Sequence, residues 1–310
     1  GYQGNFPKFE VFRAQLPPGL FTTDGVEFFG EFNFLKSGIM FADALTTVSR
    51  TYSREILMPE HGFRLETVLK RRQGDLHGIV NGIDTWEWNA DRDPWIPQHF
   101  NAGSLEGKQA CKRDLLDHFS LDLDMKTPLF GLVTRLAWQK GMDLLMQAWP
   151  SLVRDGTGVV VLGQGEPHYE AFLKEQAGSQ TGVHLGFDEG LAHRILAGCD
   201  FLLMPSVYEP CGLTQMQAMR YGTVPIVHAV GGLKDTVPQF NPRTRKGLGF
   251  KFTPFGLESF QASLKNALRV YHTPPAWAHL IHNCLTADFS WDHAARRYEK
   301  VYSNTLHRDR

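Results

Sequence analysis

The stretch Asp200-Phe201-Leu202-Leu203-Met204-Pro205-Ser206-Val207-Tyr208-Glu209-Pro210-Cys211-Gly212-Leu213-Thr214-Gln215 decides how the chain folds. It opens as a short apolar run of strand length. Pro205, Pro210 and Gly212 then fix a turn, and a helix begins near Leu213 and runs toward Arg220. A buried strand that ends in a loop and feeds a helix is half of a β–α–β unit. The same rhythm continues on both sides. Residues 128–134, 158–162 and 183–185 read as strands, and 141–152, 169–175 and 191–197 as helices. Beyond the stretch, 224–227 is a strand, while 260–271 and 292–302 are closing helices. The run Val159-Val160-Val161 is continuous and β-branched, as in a strand covered on both faces. This alternation predicts an α/β fold with a doubly wound parallel sheet. Before residue 128 the pattern differs: a helix over 34–42, a short strand over 44–49, a helix capped by Ser49, and a strand at 78–80 ended by the turn signal Asn81-Gly82.

Ligands of such sheets sit at the carboxyl ends of the strands, in the loops that open the next helix. Four loops therefore matter: 134–141, 163–166, 186–189 and 205–214. In the first, Arg135 and Lys140 stand between a strand end and a helix start. Two cations there suit a diphosphate, or are simply surface charges. In the last, Gly212 lets a ligand approach the backbone, and the amides of Gly212, Leu213 and Thr214 can hold an anion. Glu209 would repel phosphate, so a hydroxyl-rich group suits it better; otherwise Glu209 or Thr214 caps the helix. Gly163-Gln164-Gly165 lacks the third glycine of a dinucleotide fingerprint and reads as a tight turn. Phe187, at a strand end, either stacks on a nucleobase or fills the core. Gly231-Gly232 is a further close-approach turn.

Composition narrows the choice of function. The chain has 310 residues, 42% hydrophobic, with a formal net charge of -1. That length has room for two domains. The charge balance gives no drive toward nucleic acid or an acidic membrane. Lys70-Arg71-Arg72 and the group Arg243, Arg245, Lys246 read as solvated surface. The four cysteines, Cys111, Cys199, Cys211 and Cys284, form no C-x-x-C pair and have no His at a zinc spacing. A reducing compartment fits them best. No apolar run reaches membrane-spanning length. The histidines are scattered, and none stands with a Ser or Cys and an acid as a hydrolytic triad would require. Nor does a G-x-G-x-x-G open a unit with an acid about twenty residues on, which argues against a dehydrogenase.

The strings Glu209-Pro210-Cys211-Gly212-Leu213-Thr214-Gln215, Ala218-Met219-Arg220-Tyr221-Gly222-Thr223 and Gly231-Gly232-Leu233-Lys234-Asp235-Thr236-Val237 closely resemble the bacterial glycogen synthase and plant starch synthase family. The likeness covers nearly the whole chain. Tyr2-Gln3-Gly4 is similar to the tail of that family's H-N-x-x-Y-Q-G motif. Asn33-Phe34-Leu35-Lys36-Ser37-Gly38 and Thr47-Val48-Ser49 resemble its next helix and strand. Val80-Asn81-Gly82-Ile83-Asp84 resembles its V-N-G-I-D turn, and Arg135-Leu136 with Gln139-Lys140-Gly141 its R-L-x-x-Q-K-G loop. The resemblance implies a GT-B architecture: two facing Rossmann-like domains with doubly wound parallel sheets, the first incomplete in this chain. Residues 1–79 would be the remainder of the N-terminal, acceptor-side domain, 80–290 the nucleotide-sugar domain, and 291–310 a helix crossing back to the first.

Carried onto the matching positions, the resemblance makes Glu209, Arg135 and Lys140 the catalytic set. Arg135 and Lys140 would clamp the diphosphate and Glu209 would orient the donor glucose. Leu213 and Thr214 would offer amides to the phosphates, with Cys211 and Gly212 beside the sugar. Phe187 would face the adenine, and Asn81 would reach the sugar-phosphate region. The implied reaction moves glucose from ADP-glucose to the non-reducing end of an α-1,4-glucan with retention. Front-face attack is the expected route, and a covalent intermediate is the alternative. No metal or other cofactor is expected, and no nucleic acid or membrane partner. The compartment would be the bacterial cytoplasm, or the plastid of a plant or alga. Three departures stand out. The family's N-terminal K-x-G-G-L loop and the His of H-N-x-x-Y-Q-G are absent. His228 stands where the family usually carries Arg, and Gln217 where relatives with an E-x7-E motif carry a second Glu. The first leaves the cleft without one wall, so the chain is expected to be weakly active or inactive alone. It also leaves room for a non-catalytic nucleotide-sugar or glucan-binding remnant, or for a related retaining glycosyltransferase using UDP-glucose.

Overall fold

A computed structural model describes residues 3–154 and 156–307, so Tyr2 of the Tyr2-Gln3-Gly4 string lies outside the described residues. The chain divides into two compact units: residues up to Val80 together with those from Ala294 on, and Asn81–His293.

The first unit is built from short elements. Strands β1 (Asn5–Phe6), β2 (Glu27–Phe28) and β3 (Glu31–Asn33) form an antiparallel sheet in the order β1-β3-β2. Strands β4 (Leu45–Thr47) and β5 (Leu76–Gly78) pair in parallel. The second of these lies earlier than the expected 78–80. Asn33 caps the helix Phe34–Phe41 by accepting the Lys36 amide at 2.6 Å. Ser49 caps Arg50–Glu55 in the same way, accepting the Tyr52 amide at 2.9 Å. Arg72 corrects the reading of its cluster as solvated surface. Its guanidinium donates to the carbonyls of Ile39 at 2.6 Å, Met40 at 2.8 Å and Ala42 at 2.5 Å. It thus satisfies the carbonyls left open at the end of helix Phe34–Phe41. The helix Trp291–Leu306 buries Ala294 and Val301 with Ile79 of this unit.

The second unit holds one six-stranded parallel sheet: β6 (Leu129–Val133), β7 (Gly158–Gly163), β8 (Thr181–Leu185), β9 (Phe201–Met204), β10 (Val224–His228) and β11 (Phe250–Phe252). Every residue of β7 and β10 is buried, which explains why β7 is apolar throughout and β10 is apolar up to its last residue, His228. The order is β11-β10-β9-β6-β7-β8, as the α/β reading requires. The chain starts in the middle at β6, winds out to β8, and returns to β9 beside β6. The strand order therefore reverses between β6 and β9, and the crevice at that point is where an open α/β sheet takes its ligand.

Several elements had no counterpart in the sequence reading, among them β1, β2, β3, β11 and the helices Glu106–His118, Gly231–Thr236 and Pro274–Thr286. The first helix carries two buried lysines. Lys108 Nζ donates to the carbonyls of Ala197, Cys199 and Tyr221 and to Thr223 Oγ1, at 2.8–3.1 Å. Lys112 Nζ donates to Asp200 Oδ2 at 2.6 Å and to the Thr127 carbonyl at 2.7 Å. Asn81-Gly82 is not a turn. The chain passes through it without turning, and a Cβ on Gly82 would stand 2.4 Å from the Trp291 amide nitrogen. The glycine is there because a neighbouring backbone runs past it. All four cysteines are free and buried. Among the described residues no helix is long and apolar enough to cross a membrane.

Candidate functional site

The loops after β6 and β9 meet at the reversal point. The first ends in the single turn Trp138–Lys140 and then Gly141, whose backbone is left-handed with φ +75°. A Cβ on Gly141 would sit 1.8 Å from the Pro205 carbonyl oxygen, so only glycine lets the two loops touch. Two hydrogen bonds then lace them together. The Val207 amide donates to the Gln139 carbonyl at 2.9 Å, and Gln139 Nε2 donates to the Tyr208 carbonyl at 2.7 Å. This lacing delivers Lys140 Nζ to Glu209 Oε2 at 2.5 Å. Ser206 Oγ donates to the same oxygen at 3.2 Å. Glu209 is buried, and the Lys140 side chain keeps 17% of its surface open. Beneath them the His228 ring lies buried, its Nδ1 2.8 Å from the Ser206 carbonyl.

The other side is supported by helix Gly231–Thr236, so Gly231-Gly232 open a helix and are not a turn, though the close approach expected of them is there. A Cβ on Gly231 would stand 1.9 Å from the Glu209 carbonyl oxygen, and one on Gly232 would stand 1.9 Å from that of Cys211. The Gly232 amide also donates to the Glu209 carbonyl at 3.0 Å. The glycine pair is therefore a platform for the Glu209–Cys211 backbone. Cys211 is buried beside Asn81, whose backbone hydrogen-bonds the thiol, but burial prevails and raises the thiol pKa. Gly212 is left-handed at φ +65°. Leu213, which is exposed, is the N-cap of helix Thr214–Arg220, and no side chain caps that helix. The capping alternative for Glu209 and Thr214 therefore falls. The first amides of such a turn have no acceptor within the helix.

Arg135 is exposed, with Nη2 3.5 Å from Gln139 Oε1. Phe187 is 83% exposed, which removes the core-packing alternative. Arg135 and Phe187 line one cleft over the ends of β6, β7 and β8, together with Gly163, Gln164 and Gly186. The Gly163-Gln164-Gly165 reading needs correction. Neither glycine has positive φ, and a Cβ on either would come within 2.0 Å of a carbonyl oxygen, that of Thr134 or Leu136. They make room for the loop that carries Arg135 rather than forming a tight turn. The structure thus brings Lys140 to Glu209 and Cys211 to Asn81, and sets Arg135 and Phe187 along one cleft. Gln139 and Ser206, which hold the first of these pairs together, had no assigned part in the sequence reading, because their partners are known only once the chain has folded.

Two family models match the chain: starch synthase catalytic domain over residues 1–71, and glycosyl transferases group 1 over residues 115–268. The glycogen synthase of Anaeromyxobacter dehalogenans (strain 2CP-C) is 48% identical over 304 residues, which is 97% of this chain and 64% of that protein. The glycogen synthase of Myxococcus xanthus (strain DK1622) is 48% identical over 309 residues, 98% of this chain and 64% of the relative. The solved catalytic domain of starch synthase IV from Arabidopsis thaliana, bound to ADP and acarbose, matches with a TM-score of 0.92 at 34% identity. That match covers 99% of this chain and 65% of the solved one. The chain therefore spans about 64% of the length of the curated relatives it matches.

Proposed function

Because the chain belongs to the glycogen and starch synthase family, we propose that it carries the nucleotide-sugar half of a glucosyltransferase. The donor is ADP-glucose, the acceptor the 4-hydroxyl at the non-reducing end of an α-1,4-glucan, and the configuration is retained. The observation that carries this reading is the placement of Lys140 against Glu209 at the strand-order reversal of a parallel sheet, with Arg135, on the same loop as Lys140, lining a cleft with Phe187. Arg135 and Lys140 meet the negative charge that grows on the departing ADP; fixed donors do this without reorganising during the reaction. The exposed ring of Phe187 offers a face to adenine. Glu209 orients glucose hydroxyls. One of its oxygens is already committed to Lys140 and Ser206, which suits positioning better than nucleophilic attack and favours the front-face route. The amides of Leu213 and Thr214 complete the phosphate cradle, with Gly212, Cys211 and Asn81 beside the sugar. Residues 1–79 belong to the acceptor side. The buried free thiols suit a reducing compartment, the bacterial cytoplasm or a plastid.

Calorimetric titration with ADP tests the reading. Arg135→Ala should lose roughly 1.5–3 kcal/mol of binding, the worth of a charge-assisted hydrogen bond. Phe187→Ala should lose roughly 1–3 kcal/mol, as for a base stacked on an aromatic ring, with folding stability unchanged because the ring is on the surface. Wild-type affinity in both variants, or equal affinity for UDP in the parent chain, would overturn the assignment of an adenine-and-diphosphate site.

A further inference from the structure

His193 is the most deeply buried histidine of the second unit and takes no part in the site above. It lies on the helix Glu189–Gly198 and is 1% exposed. Its Nδ1 stands 2.7 Å from Asp93 Oδ2 and 3.2 Å from the Tyr221 hydroxyl. Tyr221 itself donates to the same carboxylate oxygen, and the Trp95 amide donates to Asp93 Oδ1 at 2.8 Å. Facing a carboxylate oxygen at 2.7 Å, Nδ1 carries a ring proton and donates it to Asp93, so Nε2 is the ring nitrogen left to meet a ligand. The Trp88 indole stacks on the ring at 4.0 Å and 12°, fixing its plane.

Nε2 is buried and has no hydrogen-bond partner, an unusual state for a polar atom inside a protein. The exposed residues Glu87 and Glu189 stand beside this histidine: one ligand atom from each of the three residues lies within 4.8 Å of the other two, and of the two ring nitrogens only Nε2 is uncommitted. Ligands about 2.1 Å from one ion stand at most about 4.2 Å apart. Two surface glutamates close that difference by small rotations. We propose that His193, Glu87 and Glu189 form a binding site for a first-row divalent cation of the zinc type, with Asp93 as the carboxylate that orients the histidine. One imidazole and two carboxylates favour such an ion over magnesium, which prefers all-oxygen surroundings. A histidine whose other nitrogen is held by a carboxylate is the usual second layer of a zinc site. None of the three residues belongs to the proposed transfer machinery, and the ion takes no part in that reaction. It clips the loop that carries Glu87 to the first turns of the helix that carries Glu189 and His193, and stabilises the folded state by binding it.

The test uses the whole chain, stripped with a chelator and titrated with Zn2+ by calorimetry, with thermal unfolding followed alongside. One equivalent should bind and raise the melting midpoint. The double variant Glu87→Gln, Glu189→Gln should fold like wild type without zinc, since both side chains are exposed. Its zinc affinity should fall by about 100-fold or more, with the rise in midpoint lost. The chain loaded with Co2+ should show no thiolate-to-metal absorption. An unchanged affinity in the double variant, a thiolate band, or no zinc binding by the wild-type chain would each overturn the proposal.

Discussion

At the scale of single residues, the contact with most consequence is Lys140 with Glu209. The cation assigned to phosphate is already held by a carboxylate, and both are largely shielded from water. On the proposed assignment, an arriving diphosphate competes with Glu209 for Lys140. Glu209→Gln removes the competitor while keeping the shape of the side chain. ADP affinity should then rise, by about 1 kcal/mol or more, since this pair is more shielded than the exposed pairs for which about 1 kcal/mol is the upper end. Transfer from ADP-glucose to a glucan primer should fall, because the group proposed to orient the sugar is altered. Weaker ADP binding in this variant would mean that Lys140 needs Glu209 to hold it in place, and that the two do not compete.

At the scale of elements, helix Glu106–His118 carries an unusual load. Burial lowers the Lys108 ammonium to about 8, the opposing pull of Asp200 offsetting only part of the effect. Between pH 8 and the ordinary value of 10.5 the unfolded chain keeps this proton and the folded chain releases it. Stability from Lys108 is therefore complete above the upper limit and is lost as pH falls through the lower one. In urea denaturation, the stability gap between wild type and Lys108→Met should widen as pH rises through that window, by roughly 3 kcal/mol at most. A constant gap would show that the buried amine stays charged throughout. The same helix shows where sequence reading fails. Its inward face includes Lys108 and Lys112, and lysine signals solvent to any pattern based on hydrophobicity. Strands β6, β7, β9 and β10 were legible because strands buried on both faces are nearly continuous apolar runs. Strand β11, Phe-Lys-Phe, is too short to show a period. In the candidate site, the loops and their cations could be read from strand ends. The pairing of Lys140 with Glu209 could not, because it joins residues 69 positions apart. Gly82, Gly163 and Gly165 were read as turns because a sequence shows that a glycine is present but not which backbone passes beside it.

At the scale of the whole molecule, Asn81–His293 has what an independent domain requires. Its sheet is complete and two hydrophobic clusters lie wholly within it. Its ends are also tied together, since the Ile83 amide donates to the Phe289 carbonyl at 2.9 Å. Expressed alone, this segment should unfold in one cooperative step and bind ADP within about tenfold of the full chain's affinity. A broad transition, or loss of nucleotide binding, would show that the rest of the chain supports the site. The four cysteines give such experiments a built-in clock. All of them fall in this unit, and burial raises each thiol pKa, so neither access nor thiolate favours reaction while the unit is closed. An alkylating reagent therefore counts openings of this unit and passes over those of the other. Because Cys211 lies within the candidate site, its alkylation rate also measures how long a bound nucleotide keeps that loop shut.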